Sequence, residues 1–225
     1  MTTKIALFDL DHTLIPFDSD YEWNEFTIAH GWRDGDEFRR TNDAFYVQYR
    51  EGTLDIHQYV RFATQAIRDQ GAIESIAAHA LFMSASVLKG IKKPALDLVR
   101  SHQEAGEEVI IVTATNEFVT RPIAAAFGIN ELIAIELVRD DQGEFTGDIL
   151  GTPSFREGKV ARVEAWLAAR SLTWQGVDTT FYSDSMNDLP LLEKVNHPVA
   201  TNPDERLRQL ATERGWRILD LFKPF

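Results

Sequence analysis

Asp9 and Asp11 stand two residues apart at the end of the apolar run Ile5-Ala6-Leu7-Phe8, inside the segment Asp9-Leu10-Asp11-His12-Thr13. At strand period both side chains can face one site. Thr113 closes the run Val109-Ile110-Ile111-Val112, and Asp184-Ser185-Met186-Asn187-Asp188 follows Thr180-Phe181-Tyr182-Ser183. Lys159 opens a helical pattern over 158–169 instead of ending a strand. Carboxylates, a hydroxyl and one ammonium suit phosphoryl chemistry. A phosphate monoester is an anion, so an attacking carboxylate needs the charge neutralised around it. An aspartate can then form a covalent acyl phosphate, which splits one hard step into two easier ones.

Taken singly, each signal has a plain structural explanation. Asp, Ser and Asn cap helices, threonines end strands, and a helix lysine is usually solvated. Their ordered recurrence at the ends of predicted strands is what chance does not supply. The six histidines show no metal-ligand spacing. His12 is the exception in position: it lies inside the first segment and either lines the site or is merely exposed.

The elements that must position these groups follow from the apolar pattern. Ile5–Phe8 and Val109–Val112 are the continuous apolar runs of buried parallel strands. The stretch between them far exceeds the dozen or so residues of an ordinary crossover. We therefore expect an inserted domain at 15–90, with helices near 20–30, 36–50, 55–69 and 72–86, inside a core of 1–14 and 91–225. From Pro94 the pattern alternates: a helix to Ala105, the strand 109–112, a helix Glu117–Phe127, arms Leu132–Val138 and Glu144–Ile149 of a hairpin, the helix 158–169, a strand at 180–183, a helix Met186–Val195, and segments 198–200 and 216–219 around one last helix. This is an α/β chain with a Rossmann-like, doubly wound parallel sheet, whose ligands belong at the C-terminal strand ends.

In this order and context the four signals resemble the motifs of the haloacid dehalogenase superfamily of phosphohydrolases. The helical insertion directly after the first motif is similar to the cap of its phosphoserine-phosphatase-like branch, subfamily IB. The resemblance implies Asp9 as nucleophile and Asp11 as the acid and base that serves the leaving oxygen and then the hydrolytic water. It implies Mg²⁺ held by Asp9, Asp184 and the Asp11 backbone carbonyl, with Asp188 as a further ligand, directly or through water. Thr113 and Lys159 would bind the phosphoryl oxygens, and Asn187 and Asp18 would complete the substrate contacts. Asp18 falls at the spacing of a glutamate that grips the substrate ammonium in that branch. The arginine that would grip a carboxylate has three candidates, Arg39, Arg40 and Arg50, none of them in a motif. Five positions depart from the family pattern: His12, Thr113, Ala114-Thr115 and Ser183. None removes a catalytic group, but together they weaken phosphoserine as the specific substrate.

Composition agrees with a soluble enzyme of small molecules. The 225 residues carry 23 Lys and Arg against 35 Asp and Glu, a formal charge of −12, which disfavours nucleic acid and anionic membranes. There is no cysteine, which suits a reducing cytoplasm and removes thiolate chemistry. No apolar run approaches the roughly 18–20 residues of a membrane span. No Lys or Arg lies between Lys4 and Arg33, where Asp9, Asp11, Asp18, Asp20, Glu22 and Glu25 all fall. A substrate with a cationic end, such as histidinol phosphate, fits that field better than a sugar bisphosphate. The alternatives are a phosphotransferase to an alcohol acceptor and, from another class, a phospho-accepting signalling domain. Such domains are about half this length and carry their aspartate on a middle strand. A dinucleotide module is disfavoured, since no Gly-x-Gly-x-x-Gly follows a strand.

Overall fold

The expected strands do form, most of them in one six-stranded sheet and the second hairpin arm in a separate two-stranded one. In a computed structural model describing residues 2–222, β1 (Thr3–Phe8) leads into α1 (Ser19–Ala29), α2 (Gly35–Glu51), α3 (Ile56–Ala63), α4 (Gln65–Gln70), α5 (Ala72–Phe82) and α6 (Leu88–Gly90). Then come α7 (Lys93–Glu104), β2 (Glu108–Asn116), α8 (Glu117–Ala126), β3 (Glu131–Ile135), β4 (Leu137–Arg139), β5 (Phe145–Ile149) and α9 (Glu157–Ala169). The chain closes with β6 (Val177–Ser183), α10 (Leu189–Leu192), β7 (His197–Thr201), α11 (Glu205–Arg214) and β8 (Arg217–Leu219).

The main sheet runs β3-β2-β1-β6-β7-β8 with every pairing parallel. Alternate β1 residues face opposite layers: Ala6 and Phe8 join one apolar cluster, Ile5 and Leu7 the other. Strand order reverses on either side of β1, so the crevice between the C-terminal ends of β1, β2 and β6 is the topological switch point. Among the described residues no helix is long and apolar enough to cross a membrane.

Four elements depart from expectation. The helix expected over 55–69 breaks at Thr64, whose hydroxyl donates to the Val60 carbonyl at 2.7 Å, a local bond that competes with the helical ladder. The helix expected at 72–86 continues to Gly90 through a wide turn at Met83–Val87. The expected hairpin arm Leu132–Val138 is two strands: Glu131–Ile135 pairs parallel with β2, and only Leu137–Arg139 pairs antiparallel with β5. The unbroken apolar stretch at its start is buried as a sheet strand must be, which alternation alone does not distinguish. The helix expected at Met186–Val195 opens as a tight 3₁₀ turn over Met186–Asp188 before α10.

The helices after β1 are capped by acids, one of them Asp18, which the sequence marks as a site residue. Asp18, Asp34 and Asp55 each accept backbone N–H groups at the starts of α1, α2 and α3. The β4–β5 hairpin packs against α3 and α4, tied by Arg61 to Asp148 at 2.5 Å and by the Ala72 N–H to Glu144 at 2.6 Å.

Candidate active site

β1 delivers Asp9 to the switch point, and the Asp9 N–H donates to the Tyr182 carbonyl of β6 at 2.9 Å. The chain then coils tightly, with the N–H groups of Thr13, Leu14 and Ile15 all directed at the Leu10 carbonyl. This coil brings the Thr13 hydroxyl to 3.3 Å from Asp9 and 3.2 Å from Asp184. His12 adopts φ 56° and is exposed, so the turn uses its backbone and leaves its ring in solvent.

Lys159 enters from the first turn of α9. Its side chain is only 2% exposed, and Nζ lies 2.7 Å from both Asp9 Oδ1 and Asp188 Oδ2. Two features place it there. Ser154 donates to the Thr113 carbonyl at 2.6 Å, tying the loop before α9 to β2. Gly158 allows the chain to pass under Pro153, since a Cβ would fall 2.0 Å from that carbonyl oxygen. Asp188 accepts a further hydrogen bond from the Ser183 hydroxyl at 2.7 Å.

Burial and the surplus of negative charge set the electrostatics. Burial pulls Lys159 down, but the Asp188 and Asp9 carboxylates outweigh it and hold the ammonium above its ordinary value. Asp188 is pushed up to about 6, by burial and by Asp9, against the pull of Lys159. Burial, then Asp9 and Asp188, raise Asp184 well above the carboxylate range. Two carboxylates thus share one ammonium, and Asp184 stands beside them without a cation of its own. The oxygen-only set of Asp9, Asp184 and the Asp11 carbonyl fits a small hard cation that would absorb the excess. Among the described residues no group of three or more acid or imidazole side chains forms a ready-made metal cage. Mg²⁺ asks for no such cage, because it takes one or two carboxylates and fills its shell with water and phosphate oxygens.

Asp11 is held apart from this cluster. Its Oδ1 accepts from the Ser19 N–H at 2.8 Å, and its Oδ2 from the Thr115 hydroxyl at 2.8 Å. Burial, and then the Asp18 charge, raise its pKa well above the usual value. Thr113, 1% exposed, accepts from the Thr115 N–H at 3.1 Å. The two residues expected to complete the substrate contacts, Asp18 of the insertion and Asn187 of the core, land differently. Asp18 Oδ1 caps α1, accepting from the N–H groups of Asp20 and Tyr21 at 3.0 and 2.9 Å, while its charge raises both Asp11 and Asp20. Asn187 directs its amide to the Tyr49 carbonyl of α2 at 3.2 Å and so ties insertion to core. Asp20 does not solvate the helix: it is 2% exposed and accepts from Tyr59 and Asn116.

Thr13, Ser183, Thr115 and Tyr49 were not singled out as functional groups from sequence. Thr115 carried a usable signal, being two residues from Thr113 on one strand face. Two surface hollows of about 450 and 240 Å³ lie elsewhere, bordered by Arg214 and Trp216 and by Trp174 and Lys194, and contain none of these groups.

A sheet that reverses at β1, with acids from β1 and β6 gathered on a lysine from the next layer, is the arrangement of one large hydrolase family. The sequence model of haloacid dehalogenase-like hydrolases matches residues 6–193, and the chain belongs to that family. It is a phosphatase of the phosphoserine-phosphatase-like branch. A histidinol-phosphatase of Neisseria meningitidis is 42% identical over 96% of this chain and 98% of its own. A protein of unknown function from Bordetella pertussis superposes with a TM-score of 0.92 at 46% identity, over 99% of this chain and 100% of that one. A substrate-bound phosphoserine phosphatase shares the fold with a TM-score of 0.69 at 18% identity, covering 97% and 93% of the two chains.

Proposed function

We propose that this enzyme hydrolyses a small-molecule phosphomonoester in the cytoplasm through an aspartyl-phosphate on Asp9. The observation that carries this reading is the Lys159 ammonium seated 2.7 Å from Asp9 Oδ1 and from Asp188, while Asp9 Oδ2 accepts from the Thr13 hydroxyl at 3.3 Å. That oxygen attacks phosphorus as the ester P–O bond breaks, and Asp11 gives its proton to the departing alkoxide. Water then attacks the same phosphorus, the Asp9–phosphorus bond breaks, and Asp11 takes the proton of the water. Lys159 and the Thr113 hydroxyl hold the phosphoryl oxygens through both steps. Asp9, Asp184 and the Asp11 carbonyl would hold Mg²⁺, with Asp188 reaching it directly or through water. When bound, that ion neutralises phosphoryl charge.

Residues 15–90 act as a cap over a core of 1–14 and 91–225. The substrate is an alcohol phosphate with a cationic tail, of the histidinol phosphate type. The acidic field of Asp18 and Asp20 and the 42% identical histidinol-phosphatase both support this. Replacing Asp9→Asn should lower turnover of p-nitrophenyl phosphate and of histidinol phosphate by about a thousandfold or more. Retention of a tenth of wild-type turnover would remove Asp9 from the nucleophile's role. Chelation should abolish activity in the wild type, and Mg²⁺ should restore it better than Ca²⁺, whose looser shell tolerates the wrong geometry.

A further inference from the structure

We propose that Thr115 is a positioning residue that orients Asp11 and Thr113 together, an inference that rests on the phosphatase chemistry above. One residue touches both groups: its N–H donates to the Thr113 hydroxyl at 3.1 Å and its own hydroxyl to Asp11 Oδ2 at 2.8 Å. It is 9% exposed and sits near the end of β2, in the short stretch where the register against β3 shifts, held between Val112 paired with Ile133 and Asn116 paired with Ile135. Its β-branched side chain has few χ1 choices, and the hydroxyl direction is set with it.

The geometry explains why Asp11 needs this partner. With only the Ser19 N–H on Oδ1, the carboxyl plane could swing about that single contact. A second donor on the opposite oxygen fixes the plane, and with it the direction of the lone pair that Oδ2 has left. The Ser19 N–H can only donate, so Oδ1 is committed; the transferred proton belongs on Oδ2. As the P–O bond breaks, that proton moves from Oδ2 to the leaving oxygen. In the second step it returns to Oδ2 from the attacking water. The Thr115 hydroxyl serves the other lone pair in both states. A glycine or alanine at 115 would keep the N–H for Thr113 and lose the hydroxyl for Asp11.

The two duties separate by leaving group. Thr113 serves every ester equally, whereas Asp11 matters most where the departing oxygen is a poor anion. The test compares p-nitrophenyl phosphate, whose nitrophenolate leaves with little proton help, with histidinol phosphate, whose alkoxide needs it. For Thr115→Val, and for Thr115→Ala as a second hydroxyl-free side chain, the aryl-to-alkyl ratio of kcat should rise about 10-fold, a fraction of the 10²–10⁴ that proton transfer supplies. Thr115→Ser should return it to within about threefold of wild type, because the hydroxyl is restored. In an Asp11→Asn background Thr115→Val should leave the ratio where it stands, as coupled groups do. Equal losses on both esters, or no rescue by serine, would overturn the positioning role while Asp9→Asn still abolishes turnover. A wild-type enzyme that hydrolyses neither ester, or an Asp9→Asn variant that keeps its activity, would overturn the phosphatase chemistry itself and the inference with it.

Discussion

Asp9 and Asp188 share a single ammonium while Asp184 beside them has none, which leaves the site with surplus negative charge that the residues nearby carry. Ser183 gives Asp188 a donor that a glycine there could not supply. Thr13 lies between Asp9 and Asp184 and reaches both. Asp18 adds to the surplus instead of relieving it, since its charge raises both Asp11 and Asp20. A cationic substrate tail would satisfy it. Asn is as good a helix cap as Asp, so Asp18→Asn removes the charge while α1 keeps its N-terminal bonds. We expect kcat/KM for histidinol phosphate to fall roughly 10- to 100-fold, the worth of a charge-assisted contact. The neutral-tailed p-nitrophenyl phosphate should lose far less. Equal losses would give Asp18 to the core chemistry or the fold, and no loss on either would leave it a cap alone. At this scale the gathering of Asp9, Asp11, Thr113, Asp184 and Asp188 was legible because their types recur at strand ends, and that of Lys159 because it opens a helix in the same series. Thr115 and the Ser19 N–H were not, because a hydroxyl or a backbone donor acquires its role only from what the fold places opposite it.

Elements matter here through their first and last turns. α9 delivers Lys159 because its loop is pinned to β2 by Ser154 and passes under Pro153 at Gly158. The strand ends and the helix pattern of 15–90 could be read from periodicity. The split of Leu132–Val138 between two sheets could not, since its register depends on β2 and β5, which lie far away or after it in sequence. α5 meets the core through His79, which is 3% exposed, packs among Trp23, Phe82 and Phe118, and has Nε2 3.1 Å from the Val119 carbonyl. Burial pushes its pKa from 6.5 down to about 4, with the Val119 contact opposing. Between those values the unfolded chain binds more protons than the folded one, so stability rises with pH there. The contribution is complete above 6.5 and is lost as pH falls toward 4. At pH 5 the loss amounts to about 2 kcal/mol. His79→Phe should cost about 1 kcal/mol at pH 8 through the missing hydrogen bond. It should then lose about 2 kcal/mol less than wild type between pH 8 and pH 5. Urea denaturation at the two pH values measures the difference, and an unchanged pH dependence would rule out His79 as the titrating group.

Across the whole molecule, two of the places where the insertion is fastened to the core differ in chemistry. One is buried: Asp20 on α1 accepts from Tyr59 on α3 and Asn116 on β2, and burial followed by the Asp18 charge pushes it up to about 7. The other lies at the C-terminal turn of α2, whose last carbonyls have no helical partner. Asn187 donates to the Tyr49 carbonyl at 3.2 Å, Arg206 to that of Arg50 at 3.1 Å, and Arg156 to that of Gly52 at 2.7 Å, while the Tyr49 hydroxyl meets Ser185 at 2.9 Å. Core side chains from three separate segments thus close on one helix end, and two of them are cationic, which the helix dipole favours. A closed cap excludes water from the phosphoryl group until the substrate is committed. If 15–90 opens as a cap, the α2 contacts are the ones that can separate without stranding a buried acid. The double variant Arg156→Ala, Arg206→Ala should therefore weaken closure and spare the chemistry. Each solvent-facing contact is worth about 1 kcal/mol, and the pair about 2. Opening at α2 should become up to about 30-fold more frequent. Deuterium uptake at 35–51 should rise accordingly, with that of β1 and β6 unchanged. Uniform acceleration across the sheet would mean that the arginines stabilise the fold as a whole, and no acceleration at α2 would mean that the cap is held shut elsewhere.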